Sequence, residues 1–215
     1  GNLGTILPDS VDTGYTFDSE VFVCEVDASN DGVARIPLYR SNVSEAEQVT
    51  VRIEFNDGEG GYVETDPEKI FRLTTTKVFF AEGRDCADVQ VSFTSLGDIG
   101  YSRLHQFRLS LEGSPAAEAG SDSFGNITCT TVTLSQKLVF DYLGKGTCYD
   151  EFLFYETYPV DIYKARNCPV YRIMDPWSAG LLAEDYVKNG WATTHSDYVQ
   201  IDRNADGTLH FAEFK

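Results

Sequence analysis

Residues 33–55, VARIPLYRSNVSEAEQVTVRIEF, carry two runs of apolar positions spaced for a strand: Val33, Ile36 and Leu38, then Val49, Val51, Ile53 and Phe55. Polar Ser, Asn and Glu residues separate the runs. Period-two alternation places one face of a strand on a core and the other in water. A helix of the same composition would scatter these side chains around its axis. The stretch therefore predicts a hairpin-like pair of strands.

The same grammar recurs on both sides of it. Residues 19–26, SEVFVCEV, predict a strand with Phe22, Cys24 and Val26 on one side and Val21 and Val23 on the other. SNDG at 29–32 is turn chemistry, because Asn, Asp and Gly tolerate the positive φ that tight turns require. NDGEGG at 56–61 reads as a loop. Residues 70–93 read as two short strands and a third, with Ala81-Glu82-Gly83 at a turn and Val89, Val91 and Phe93 alternating. Phe107, Leu109 and Leu111 alternate again, and the β-branched run 127–135 follows a small-residue loop at 113–126. The expected strands are 20–26, 33–39, 48–55, 77–80, 88–94, 105–112 and 127–135, a density of short strands and turns that predicts a β-sandwich. Residues 1–19 read as an extended lead-in, so the sandwich is expected over 20–136.

From 137 the texture changes and aromatic residues become dense, which predicts a second, smaller β domain over 137–215. PVDIYKA at 159–165 and PVYRIMD at 169–175 are β-like runs between polar turns. Residues 181–189, LLAEDYVKN, have a helical pattern that stops at Gly190. Residues 197–214, DYVQIDRNADGTLHFAEF, read as strand, turn, strand. The expected fold class is all-β.

Charge narrows the function classes. With 34 acidic and 17 basic residues the net charge is −17, which repels phosphate backbones and disfavours nucleic acid and anionic lipid. It suits an extracytoplasmic protein, a divalent-cation binder or a neutral-glycan binder. No apolar run has the length needed to span a bilayer. Gly1 before Asn2-Leu3-Gly4 reads as the scar of a removed tag, so any signal or lipid-bearing cysteine upstream would already be missing and the absence of a targeting segment says nothing. Cys24, Cys86, Cys129, Cys148 and Cys168 show no CxxC spacing, and with only His105, His195 and His210 they leave a zinc cluster little to work with. They read as buried free thiols or, alternatively, as a Cys148–Cys168 pair with the others free.

These residues carry a resemblance. Tyr39-Arg40 at a strand end, the β-run 49–55, Val78-Phe79-Phe80-Ala81-Glu82-Gly83 and the strands at 89–93, 107–111 and 130–134 make the first module similar to Calx-beta and related immunoglobulin-like domains. In the second module, Gly144-Lys145-Gly146-Thr147-Cys148-Tyr149-Asp150, Val160-Asp161-Ile162-Tyr163-Lys164 and the run from Tyr171 to Trp177 resemble the aromatic β domains that follow such sandwiches in surface lipoproteins of gut anaerobes. The resemblance implies a non-enzymatic lipoprotein ectodomain at the cell surface, outer membrane or periplasm, a monomer that meets the membrane only through a lipid anchor. Calcium-binding Calx-beta domains carry an acidic cluster before the penultimate strand. Here that loop, Leu96 to Arg103, holds the single carboxylate of Asp98, which argues against that metal site.

Catalytic motifs are absent: there is no GxSxG or HExxH, and Gly144-Lys145-Gly146-Thr147 has the wrong order for a phosphate cradle. A hydrolase using two carboxylates is an alternative that no spacing singles out. Trp177, Tyr186 and Trp191, with Asp175 nearby, are the candidate glycan-stacking set, against the plainer reading that these rings fill a small core. No cofactor or metal is expected. One alternative stands: Asp202, Asn204, Asp206, Thr208 and Glu213 match an EF-hand calcium loop over 202–213, which would make the protein a calcium-dependent adhesion module. The competing reading is a β-hairpin turning at Asn204-Ala205-Asp206-Gly207, with Val199 and Ile201 facing Leu209 and Phe211.

Overall fold

The computed structural model describes residues 14–113, 120–122, 124–151, 155–174 and 198–214. In chain order the strands are β1 (Tyr15–Phe17), β2 (Val21–Val26), β3 (Val33–Arg40), β4 (Glu47–Asn56), β5 (Tyr62–Val63), β6 (Phe71–Leu73), β7 (Lys77–Phe80), β8 (Cys86–Phe93), β9 (His105–Leu111), β10 (Gly120–Ser121), β11 (Ile127–Gln136), β12 (Phe140–Asp150), β13 (Glu156–Ala165), β14 (Val170–Met174), β15 (Tyr198–Arg203) and β16 (Leu209–Phe214). One helical turn, α1 (Leu96–Ile99), interrupts them. The chain divides into two compact units, the first ending at Lys137 and the second starting at Leu138.

The first unit is an immunoglobulin-like β-sandwich. One sheet has the order β1-β3-β8-β6; the other runs β11-β9-β4, with β2 pairing parallel to β11. These correspond to the A-B-E-D and A′-G-F-C layers of that fold. Two edge segments change sheets. Tyr15–Phe17, within the stretch read as lead-in, pairs with β3 before the chain crosses to β11 as β2. Likewise β6 pairs with β8, and β7 crosses to β4.

The expected hairpin between 33–40 and 47–56 does not form. β3 pairs with β8 and β4 with β9, so the two strands lie in opposite sheets. Ala34, Ile36 and Leu38 from one side and Val51, Ile53 and Phe55 from the other enter a single core. Ala34, rather than Val33, holds the inward position. Both strands satisfy their alternation by facing each other across the core, which hydrophobic burial rewards as well as pairing would.

Arg40 pins the crossover. Its side chain is buried, and the guanidinium donates from Nε to the Arg84 carbonyl at 2.7 Å, from Nη1 to that of Glu45 at 2.7 Å and from Nη2 to that of Ala81 at 2.8 Å. The same cation lies 5.1 Å from the centre of the Phe80 ring. A buried cation thus ties the β3–β4 link to the β7–β8 turn by satisfying carbonyls that no strand partner reaches. The β2–β3 link is held by Asp27, which accepts from Ser29 N at 2.9 Å, and it reverses through Asp31 and Gly32 at φ of 53° and 79°.

Asp98 is part of α1. Ser95 Oγ accepts from Asp98 N at 3.0 Å, and Asp98 accepts from Thr94 Oγ1 at 2.6 Å. The loop is thus organised by local hydrogen bonds at Asp98, one to its carboxylate and one from its backbone N–H.

The second unit is an antiparallel meander, β12-β13-β14-β15-β16, with strands adjacent in chain order. The helical pattern at 181–189 lies outside the described residues. Among the described residues no helix is long and apolar enough to cross a membrane.

Candidate functional site

The register of the meander assigns each side chain to a face. Tyr142 pairs with Tyr163, Tyr163 with Arg172 and Arg172 with Gln200, forming one row across four strands. The next row is Lys145, Asp161, Met174 and Tyr198. Tyr142 and Lys145 are three residues apart and would ordinarily lie on opposite faces. They share a face because the register shifts between Tyr142 and Gly144, leaving Leu143 as the extra residue of a bulge, with Gly144 at φ 142°. Beyond the bulge, Thr147 and Tyr149 continue the same face, opposite Pro159 and Thr157.

Specific pairs hold this face. The Arg172 guanidinium lies 3.9 Å from the Phe140 ring centre and 4.2 Å from that of Tyr198, and its Nε donates to Gln200 Oε1 at 3.0 Å. Phe140 reaches Arg172 over its own partner, the small buried Ala165. The Tyr142 and Tyr163 rings meet edge to face at 5.4 Å. Asp161 Oδ1 takes both the Tyr142 hydroxyl, at 3.1 Å, and Lys145 Nζ, at 2.7 Å. The hydrogen bond from Lys145 holds the Asp161 carboxyl below its ordinary range, and Asp161 raises the Lys145 ammonium in return. Loss of hydration, then the neighbouring Asp161 carboxylate, pushes the Tyr142 phenol up.

The accessible part lies along β12, an edge strand of the sheet. Tyr142 is 54% exposed and Tyr149 57%, while the side chains of Lys145 and Asp161 are 63% and 43% exposed. Two rings, an ion pair and a threonine hydroxyl therefore form one exposed stripe. Such a set offers apolar platforms and paired donors and acceptors to a polyhydroxylated ligand. Gly144-Lys145-Gly146-Thr147 lies within a strand, so its backbone N–H groups belong to a sheet and form no phosphate cradle. Gly146 lies under the Ile162 side chain: a Cβ there would meet Ile162 Cδ1 at 2.2 Å, so that side chain would have to move aside.

The sequence candidates Trp177, Trp191, Tyr186 and Asp175 lie outside the described residues. The stripe residues were less visible as a set, since the 142, 145, 147, 149 spacing follows neither period two nor a helix. Only a bulge at Gly144 makes it one face. Residues 202–213 are folded as a hairpin: Ile201 pairs with Phe211 and Asp202 with His210, and Asn204 N donates to the Thr208 carbonyl at 2.8 Å. Asp206 accepts from Thr208 N at 2.9 Å and Oγ1 at 2.6 Å, which holds its carboxyl below the usual range. Glu213 pairs with Val199, about 10 Å along the ladder from the Asp202 pair. An EF-hand loop wraps its first and twelfth ligands around one ion. This hairpin spreads those positions along two strands.

The Cys148–Cys168 alternative is not realised. Cys148 pairs with Tyr158, whereas Cys168 follows Ala165, whose partner Phe140 lies about 25 Å along β12 from Cys148. A disulfide requires Cα atoms within about 7 Å. All five thiols are free; Cys24, Cys129 and Cys168 are buried, and Cys86 is exposed, contrary to the buried-thiol reading.

The first unit contributes two open clefts beside β6, of about 330 and 260 Å³, which share Thr65, Asp66, Phe71 and Arg72. Asp66 accepts from the backbone N–H groups of Glu68, Ile70 and Phe71 at 2.9–3.0 Å, so its carboxylate serves the turn. Among the described residues, no group of three or more His, Cys, Asp or Glu side chains is arranged to hold a metal ion.

Together these features define an all-β protein in which a sandwich precedes an aromatic-faced meander. No family model matches the chain, and no curated protein matches it. Solved structures similar to it include a Bacteroides ovatus protein of unknown function, 13% identical over 93% of this chain and 77% of that one, with TM-score 0.47. A Calx CBD2 domain is 11% identical over 58% of this chain and 90% of its own, with TM-score 0.38. A putative carbohydrate binding protein from Bacteroides ovatus is 9% identical over 93% of this chain and 67% of that one, with TM-score 0.34.

Proposed function

We propose that the chain is a non-catalytic, extracytoplasmic binding protein whose sandwich acts as a spacer and whose meander carries a carbohydrate-binding face. The observation that carries this reading is the exposed stripe of Tyr142, Lys145, Thr147 and Tyr149 with Asp161 beside it. Exposed rings stack on the apolar faces of sugars, and the ion pair between them supplies a donor and an acceptor. The acidic surface agrees with a ligand that lacks negative charge. A cell-surface or periplasmic lipoprotein setting follows from the resemblance of the second module.

A glycan array probed with the whole chain tests the proposal. Binding should fall about tenfold or more in Tyr142→Ala and Lys145→Met with the far-ultraviolet spectrum unchanged. Trp177→Ala and Trp191→Ala are the comparison arms. Binding that is lost only in those two variants would move the site away from the stripe. A chain that binds no glycan but captures a protein would replace carbohydrate with a protein partner.

A further inference from the structure

Resting on the carbohydrate reading, we infer that the stripe recognises an extended, neutral oligosaccharide, clasping a vicinal diol between Lys145 and Asp161 beside Tyr142 and stacking a later sugar on Tyr149.

The clasp follows from the atoms. Both neighbours of Asp161, the Tyr142 hydroxyl and Lys145 Nζ, contact the same oxygen, Oδ1. An ionised carboxylate has lone pairs on both oxygens, and an ammonium has three N–H groups. Oδ2 therefore accepts from one sugar hydroxyl while Lys145 donates to its neighbour. Two adjacent hydroxyls match this arrangement because each offers one donor and two acceptor lone pairs. Tyr142, fixed by its own bond to Asp161 and by the Tyr163 ring, stands next to the clasp.

Length follows from the register. On the unbulged partner strand, Tyr163 lies opposite Tyr142 and Thr157 opposite Tyr149. Six residue steps separate them, about 20 Å at the usual strand rise. Asp161 is two steps from the Tyr163 row, about 7 Å, and four from the Thr157 row, about 13 Å. A single sugar can use the clasp and Tyr142 but cannot reach Tyr149. Between them the stripe presents Thr147 and Pro159, both exposed, a small polar group and an apolar surface over which a chain can lie.

Neutrality follows from charge. Lys145 is the exposed cation of the stripe and Asp161 already matches it, while Arg172, two strands further in on the same face, is partly buried between the Phe140 and Tyr198 rings. An acidic glycan would meet an ion pair with no surplus positive charge, on a chain of net charge −17.

The test is titration calorimetry of the whole chain with neutral cello-, xylo-, manno- and galacto-oligosaccharides from monosaccharide to hexasaccharide, with oligogalacturonides as the charged control. In the series that binds, affinity should climb beyond the disaccharide and then level off. Tyr149→Ala should abolish that gain, about tenfold, and leave the shortest ligands unchanged. Tyr142→Ala and Asp161→Asn should weaken every length, and oligogalacturonides should bind at least about tenfold more weakly. A plateau already reached by the monosaccharide, or a Tyr149→Ala effect equal at all lengths, overturns the extended site. Oligogalacturonides that bind as well as their neutral counterparts overturn the neutral clasp. Absence of binding in every series overturns the carbohydrate reading, and this inference with it.

Discussion

The first unit buries Phe80, Phe107, Leu109, Val89 and their neighbours between two sheets, whereas the apolar cluster described in the second comprises Ala165, Cys168 and Val170 with Leu138 and Phe140 packed on it. In the sandwich, stability comes from collective burial, which is non-directional and set by how much apolar surface leaves water. On the described face of the meander, directional pairs also hold side chains in place: Arg172 between two rings, Tyr142 against Tyr163, and Lys145 with Asp161. A face held by such pairs keeps its groups exposed yet fixed, as recognition requires. The sandwich hides its informative side chains; the meander displays them.

The largest effect should come from the sandwich core. Phe107 is 2% exposed and touches the rings of Phe55 and Phe71 at centroid distances of 6.0 and 5.4 Å. Phe107→Ala should destabilise the first unit by about 3–5 kcal/mol. Both tryptophans belong to the second unit, so urea unfolding followed by fluorescence reports on that unit and far-ultraviolet circular dichroism on both. The dichroism transition should shift while the fluorescence transition stays. If the two move together, the contrast between independent units fails.

Arg40→Met comes next, at about 2–4 kcal/mol, because it removes the guanidinium donor from the carbonyls of Arg84 and Glu45 and leaves that of Ala81 with the Arg84 N–H alone. A loss under about 0.5 kcal/mol would mean that water replaces the guanidinium and the crossover needs no pin. In the meander, Arg172→Met keeps the volume but removes the cation between Phe140 and Tyr198 and the bond to buried Gln200. The fluorescence transition should fall by about 1–2 kcal/mol. An unchanged midpoint would show that packing alone holds this face.

A smaller effect should appear in acid. The pKa of Asp161 is lowered by Lys145, so the folded state binds its proton less readily than the unfolded chain does. The contribution is present above the unfolded pKa, about 3.9, and is lost as pH falls through the lower folded value. Asp161→Asn should therefore lower stability slightly above about pH 4, where the contribution is present, and match the parent at the acid end, so that the acid-side slope flattens. A variant whose profile parallels the parent's would place the ion pair outside the pH response. The smallest expected signal is calcium: calorimetry should give no saturable, stoichiometric heat at 202–213. A stoichiometric heat that disappears in Asp206→Ala would restore the adhesion-module alternative.

Which stretches become strands was legible because alternation and turn chemistry are local. Val51, Ile53 and Phe55 needed only period two to predict their inward face, and Asp31-Gly32 needed only its tolerance of positive φ. What each strand pairs with was not legible. Backbone N–H and C=O groups are the same in every strand, so β3 and β4 carry no local mark that sends them to opposite sheets, nor β2 one that lays it parallel to β11. Shared burial of side chains distant in sequence makes that choice. The candidate site has the same history: the aromatic density after residue 137 is plain in the sequence, but a single bulge at Leu143 brings Tyr142 and Lys145 to one side of the sheet. Composition determined that the second unit would carry rings and charges; the register of two strands decided which of them stand together.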